Sequence, residues 1–530
     1  MSNATRTPAA RTLADLVRDV AQAQPDKTAI LFGDSKVSYQ TLETLIERAA
    51  DALYARGVRK GDRVAVMLPN IPHFAIAYYA IVRLGAIVVP LNVLYKAHEI
   101  GYILRDSGAA TMIVFETFYP QAALALEEVG NVGGVGTVIV VSQGEVPAGT
   151  ILWRTTPPLI EGDASARERV TVEPGDVAVI CYTSGTTGQS KGAMLTHRNF
   201  IANLEQINCM QNLDIRADDV LLLVLPLFHI FAMNVGMNSV LRMGGTMDLV
   251  VRFEAAPVLA EIQKNRCSIF LGAPPMFVAW VNLPELGDYD LSSLRIVNSG
   301  AAALPVYVLE RFQEITGIEI QEGYGLTECA PTTHSNSAAP RVKPGTIGMP
   351  IPGVESRVVD EHDRDVPAGQ EGEIVVRGEN VMVGYWRKPK ETDEALRGGW
   401  FHTGDIATID EDGYYTIVDR KKDMINSGGF KVWPREVEEM LYRHPAVADA
   451  AVVATFDPYA GERPMAYVVL KPGQTATEED IIAYSRANLA SFKAPSKVEF
   501  RTELPKLLTG KVLRRALREE ASHPIPVGDI

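Results

Sequence analysis

A chain of 530 residues exceeds the roughly 250 to 300 at which one hydrophobic core stops growing, so at least two domains are expected. Its apolar share of 47% and charged share of 22% are those of globular chains and exclude a fibrous or disordered class. A net charge of −14 excludes nucleic acid as the main partner and leaves any anionic ligand dependent on a local positive site.

Arg6, Arg11, Asp15, Arg18 and Asp19 break up the N-terminal segment, which therefore lacks the apolar run of a secretion signal. Leu13, Leu16, Val17 and Val20 fall at helical spacing, and Leu42, Ile46, Ala49 and Leu53 repeat it until Gly57 ends the second helix. Short β-branched runs at 63–68, 111–115, 137–141 and 177–182 barely alternate, the pattern of parallel strands covered on both faces. Apolar stretches at 74–93 and 220–237 are interrupted by Arg83, Pro90, Pro226, His229 and Asn234, so they read as buried core and not as membrane spans.

From Gly345 onward Gly and Pro punctuate short strands at 356–359 and 373–377, which predicts a small β-rich subdomain. Charge gathers at Asp419, Arg420, Lys421, Lys422 and Asp423, and helix and strand patterns restart at 434–442 and 448–455. A boundary there divides the chain into 1–421 and 422–530. The expected class is α/β: two covered, mostly parallel sheets with the β-rich subdomain, then a small α+β C-terminal domain. Cys181, Cys209, Cys267 and Cys329 have no metal-ligand spacing and read as reduced thiols of a cytoplasmic protein.

Thr183, Ser184, Gly185, Thr186, Thr187, Gly188 and Lys191 follow an apolar strand directly. Glycines let backbone N–H groups turn toward an anion, hydroxyls donate further bonds, and the lysine adds a mobile charge, so the loop suits phosphate better than it suits a linker. It lacks the Gly-Lys pair of the Walker pattern.

This loop resembles that of the adenylate-forming superfamily of acyl-CoA synthetases, NRPS adenylation domains and firefly-type luciferases. Further signatures recur in order: Asn298-Ser299-Gly300-Ala301-Ala302, Gly323-Tyr324-Gly325-Leu326-Thr327-Glu328, Thr403-Gly404-Asp405, the Asp419–Asp423 cluster, and Leu504-Pro505-Lys506 through Gly510-Lys511. The resemblance implies an ATP-dependent acid:CoA ligase that forms an acyl-adenylate and then a thioester. Its ligands would be ATP, Mg²⁺, coenzyme A and a small carboxylic acid. A homodimer is left open, and no nucleic-acid partner is expected.

By the same resemblance Tyr324 stacks on adenine beside Gly300, Ala301 and Ala302, within a nucleotide site that includes Glu322, Gly323 and Gly325. Taken alone, Tyr324 could equally be a core tyrosine. Thr327 donates to the α-phosphate, and Glu328, with Thr183, holds Mg²⁺; a helix cap followed by a first-turn acid is the plain alternative. Asp405 accepts from the ribose hydroxyls beside Arg420, though after a glycine it could also be a turn residue. Lys191 and Lys511 carry the positive charge of catalysis, and out of context Lys511 would be a surface lysine.

His229 borders the acid and nucleotide sites or is a satisfied core histidine. The resemblance also implies that Lys422 takes the hinge position of a mobile C-terminal domain. Gly428 and Gly429 line the pantetheine path or form a simple turn. Phe228, Ile230, Phe231, Met233, Val235 and Met237 make a mostly apolar acid wall, with Asn234, Gly325 and Pro331 at its edge. A medium- or long-chain fatty acid is expected first, a cinnamate-type aryl acid second, and the loading of a carrier protein is a further alternative.

Overall fold

The computed structural model describes residues 11–130, 134–156, 158, 160, 167–183, 190–210, 213–420, 423–458, 460–506 and 512–522. Ser184, Gly185, Thr186, Thr187, Gly188, Lys422 and Lys511 lie outside them.

Two sheets organise the larger lobe. In the first, eight strands run in the order 384–385, Lys191–Thr196, Val177–Thr183, Ile87–Pro90, Arg63–Met67, Thr111–Phe115, Thr137–Ser142 and Ile151–Arg154. All pair in parallel from Val177–Thr183 outward; the two strands at the other edge are antiparallel. In the second, nine strands are parallel from Gln321–Gly325 through Ile296–Ser299, Ile269–Gly272, Val220–Leu223 and Thr246–Leu249 to Thr28–Phe32. Antiparallel strands finish it at both ends. The non-alternating β-branched runs are thus buried strands, as their texture predicts.

Both long apolar stretches are core. The helix Pro72–Arg83 is buried on every side, and its Arg83 is tolerated because Glu43 accepts from its guanidinium at 2.7 Å. The second stretch is the strand Val220–Leu223 and, after a turn, a π-helix at Phe231–Asn238. Among the described residues no helix is long and apolar enough to cross a membrane.

The punctuated region forms a four-stranded antiparallel sheet of Glu355–Val359, Gly372–Arg377, Phe401–Ile409 and Tyr415–Arg420. Beyond it a five-stranded sheet with the helices Pro434–Tyr442, Glu478–Asn488 and Arg514–Ser522 makes a smaller α+β unit with its own apolar clusters. Polar contacts join it to the β-rich sheet. Arg435 N donates to Asp419 Oδ2 at 3.0 Å, Arg435 Nη1 to the Ile417 carbonyl at 2.7 Å, and Trp433 Nε1 to Glu371 at 3.1 Å.

Candidate active site

One cavity of about 1210 Å³ opens where the two sheets, the β-rich sheet and the C-terminal unit meet. Its first wall is the hairpin of Val177–Thr183 and Lys191–Thr196, whose register sets Thr183 opposite Lys191 at the ends of the two strands. Both ends are tied. The Tyr182 hydroxyl donates to Asp106 Oδ2 at 2.6 Å, and the Tyr102 hydroxyl to the Ser190 carbonyl at 2.8 Å.

Opposite stands the strand Gln321–Gly325 and the turn Thr327–Cys329. The Tyr324 hydroxyl donates to Asp405 Oδ2 at 2.5 Å, and Arg420 Nε lies 3.1 Å from Asp405 Oδ1. Burial and the neighbouring Asp405 carboxylate hold the Tyr324 phenol well above its usual range, and Asp405 holds the Arg420 guanidinium charged. Glu328 Oε1 accepts from Tyr385 at 2.9 Å and from Thr183 Oγ1 at 3.4 Å. One carboxylate beside a hydroxyl is the sparse hard-oxygen set that suits a magnesium ion bound mainly through nucleotide phosphates. Among the described residues no cluster of three His, Cys, Asp or Glu side chains forms a fuller cage.

Tyr324, Thr327, Glu328, Lys191, Arg420 and His229 therefore share one cavity, together with Gly300, Ala301, Gly323 and Gly325. Ala301 adopts the left-handed region with φ of 70°, a strained conformation for a residue with a Cβ, found here on the cavity wall. Three expected nucleotide contacts sit differently. Ala302 is exposed and off the wall, and Asp405 is buried behind Tyr324 and Arg420. Glu322 lies beneath the site, where its Oε1 accepts from Leu304 N at 3.1 Å; burial raises its carboxyl to about 7. Lys511 is not described, but the chain just after it, Val512 and Leu513, borders the cavity.

On the acid side Phe228, Ile230, Phe231, Val235 and Pro331 line the cavity, and Ile207, Met210 and Leu213 extend it. These last three lie at and beyond the end of the helix His197–Asn208, and sequence reasoning passed over them because a helix end gives no sign of facing a ligand. Asn234 is corrected: it is fully buried, and its amide donates to the Ala330 carbonyl at 2.6 Å, so it braces the wall from behind. Met233 and Met237 likewise turn into the core. Gly428 and Gly429 do not line the cavity; at φ of 62° and 91° they make the exposed turn between Ile425–Ser427 and Phe430–Val432.

A model of AMP-binding enzymes matches residues 17–386, and one of the AMP-binding enzyme C-terminal domain matches 436–511. The chain belongs to the AMP-binding enzyme family. A long-chain-fatty-acid–CoA ligase of Bacillus subtilis (strain 168) is 40% identical over 96% of this chain and 94% of its own length. A feruloyl-CoA synthase of Amycolatopsis sp is 38% identical over 94% of this chain and 96% of its own. The crystal structure of the anthranilate CoA ligase AuaEII in complex with anthranoyl-AMP superposes with a TM-score of 0.86 at 30% identity, covering 97% of this chain and 98% of that one. The enzyme is an ATP-dependent, adenylate-forming CoA ligase.

Proposed function

We propose that the enzyme joins an apolar monocarboxylic acid to coenzyme A, with an aryl acid of cinnamate type as the leading reading. The observation that carries it is the shape and chemistry of the acid side. Phe228 and Phe231 both line it, and the Phe231 ring packs so closely on Gly300 that a Cβ there would come within 2.9 Å of it. Aromatic rings on the cavity wall favour a planar aromatic body that can pack against them. Among the described residues the apolar extension has no Lys or Arg to pair a second carboxylate. The feruloyl-CoA synthase and the anthranilate CoA ligase support this reading by similarity. A medium- or long-chain fatty acid is the second reading, favoured by Ile207, Met210 and Leu213 at the far end and by the Bacillus relative.

The residues divide the work as follows. A carboxylate oxygen of the acid attacks the α-phosphorus of ATP in line, the bond to the bridging oxygen breaks, and pyrophosphate leaves. The loop 184–188 with Lys191 cradles the phosphates, Thr327 donates to the α-phosphate, and Tyr324 offers its face to adenine. Mg²⁺ held at Glu328 and Thr183 would neutralise phosphate charge. Lys511 sets an ammonium between carboxylate and α-phosphate, where their charges repel. The thiol of coenzyme A then attacks the acyl carbonyl and AMP departs with the electron pair. For that step the domain 422–530 turns about Lys422 and brings Gly428 and Gly429 to the pantetheine path.

The test is thioester formation across cinnamate, ferulate, benzoate, octanoate, palmitate, acetate and malonate at equal concentration. Cinnamates should give the highest kcat/KM. In a straight-chain series each buried methylene adds about 0.8 kcal/mol until the pocket ends, so palmitate or octanoate in first place would select the fatty-acid reading. Acetate or malonate in first place would overturn both.

A further inference from the structure

Glu328 and Lys191 stand on different sheets. Glu328 follows the strand Gln321–Gly325 of the nine-stranded sheet, and Lys191 opens a strand of the eight-stranded one. Tyr385 touches both. Its hydroxyl donates to Glu328 Oε1 at 2.9 Å, and Lys191 Nζ lies 5.2 Å from its ring centroid, over the face of the ring. The side chain has little freedom to leave this place. Its residue pairs with Ala193 at the sheet edge, its N–H donates to Thr392 Oγ1 at 2.9 Å, and the following Trp386 N donates to the Gly192 carbonyl at 2.8 Å. Met382 N donates to the Glu328 carbonyl at 2.7 Å, so the same segment also grips the backbone of the carboxylate it orients. Tyr385 is only 8% exposed.

We propose that Tyr385 is a positioning residue for adenylation, which aims the Glu328 carboxylate at Mg²⁺ and the Lys191 ammonium at the phosphates. The proposal rests on the assignment of Glu328 to the metal. Thr183 and Tyr385 both donate to Oε1, which leaves Oε2 as the oxygen presented to a cation. A donor fixed behind a ligating carboxylate commonly changes metal affinity by about 10- to 100-fold, because it sets the orientation of the ligand. The ring face attracts an ammonium through its quadrupole and draws Lys191 toward the turn that carries Glu328. Coupled in this way, the two charged groups that meet the phosphates keep a fixed separation although they belong to different sheets.

The experiment is calorimetric titration of Mg²⁺ into the enzyme saturated with α,β-methylene-ATP, for the parent, Tyr385→Phe, Tyr385→Leu and Glu328→Gln, after circular dichroism confirms folding. Tyr385→Phe should weaken Mg²⁺ binding about tenfold or more. Tyr385→Leu should do the same and also weaken binding of the analogue itself about threefold or more, since it loses the ring face. Unchanged Mg²⁺ affinity in Glu328→Gln would overturn the metal assignment. A weakened Glu328→Gln with an unchanged Tyr385→Phe would overturn the role of Tyr385 and leave the assignment standing. If Tyr385→Phe does not fold, 4-fluorophenylalanine at this position fills the volume without a donor and reads the same two outcomes.

Discussion

Glu322 shows how far a motif reaches at the scale of one residue. Its place beside Gly323 and Tyr324 was legible from the sequence, but not its depth, because the strand that carries it alternates and turns this side chain under the site. There it tethers Leu304 N, and burial lifts its carboxyl from 4.5 to about 7. The folded chain thus keeps a proton that the unfolded chain releases above 4.5, so this residue's contribution to stability falls as pH rises through that window and is fully lost above 7. Glutamine keeps the acceptor and never ionises. Glu322→Gln should therefore match the parent at pH 4 and exceed it at pH 8 by as much as about 3 kcal/mol, read from urea midpoints at each pH. A difference that does not grow with pH would show that the carboxylate pays no burial cost.

At the scale of elements, the strands and the amphipathic helices were legible because their periods are written in the sequence. The π-helix Phe231–Asn238 was not, since its wider turn leaves no mark in an apolar run and turns Met233 and Asn234 away from the cavity. The strand Gln321–Gly325 has a sharper requirement. Gly325 pairs with Thr332 of the next strand, and a Cβ there would lie 2.2 Å from the Pro331 carbonyl oxygen. Backbone cannot swing aside as a side chain does, so one strand must shift and carry Thr327 and Glu328 with it. Gly325→Ala should cost about 1 to 3 kcal/mol of stability, measured by denaturant unfolding. Pyrophosphate release should fall about tenfold or more, the effect of a 1.4 kcal/mol loss of transition-state stabilisation. Parent-like values for both would mean that the hairpin yields freely.

For the whole molecule, the ordered motifs made ATP and coenzyme A legible, whereas the acid was not, because the pocket proposed for it is assembled from Ile207, Met210, Phe228, Val235 and Pro331 by packing across several elements. In this arrangement the chain next to Lys511 borders the cavity while Gly428 and Gly429 stand outside it. If the C-terminal domain turns between steps, the half-reactions should separate by mutation. Lys511→Ala should lose most pyrophosphate release yet convert supplied acyl-AMP to thioester. Gly429→Leu should do the reverse, and Lys422→Pro should resemble it by fixing φ at the pivot. Equal losses in both assays for Lys511→Ala and Gly429→Leu would point to a single static site. The pairing of 384–385 with Lys191–Thr196 bears on how such an enzyme can be taken apart. Those two residues are the selvedge of the eight-stranded sheet: with them removed, the strand Lys191–Thr196 would expose a row of unpaired N–H and C=O groups, an invitation to self-association. Any lobe meant to be expressed alone has to keep the chain through Tyr385.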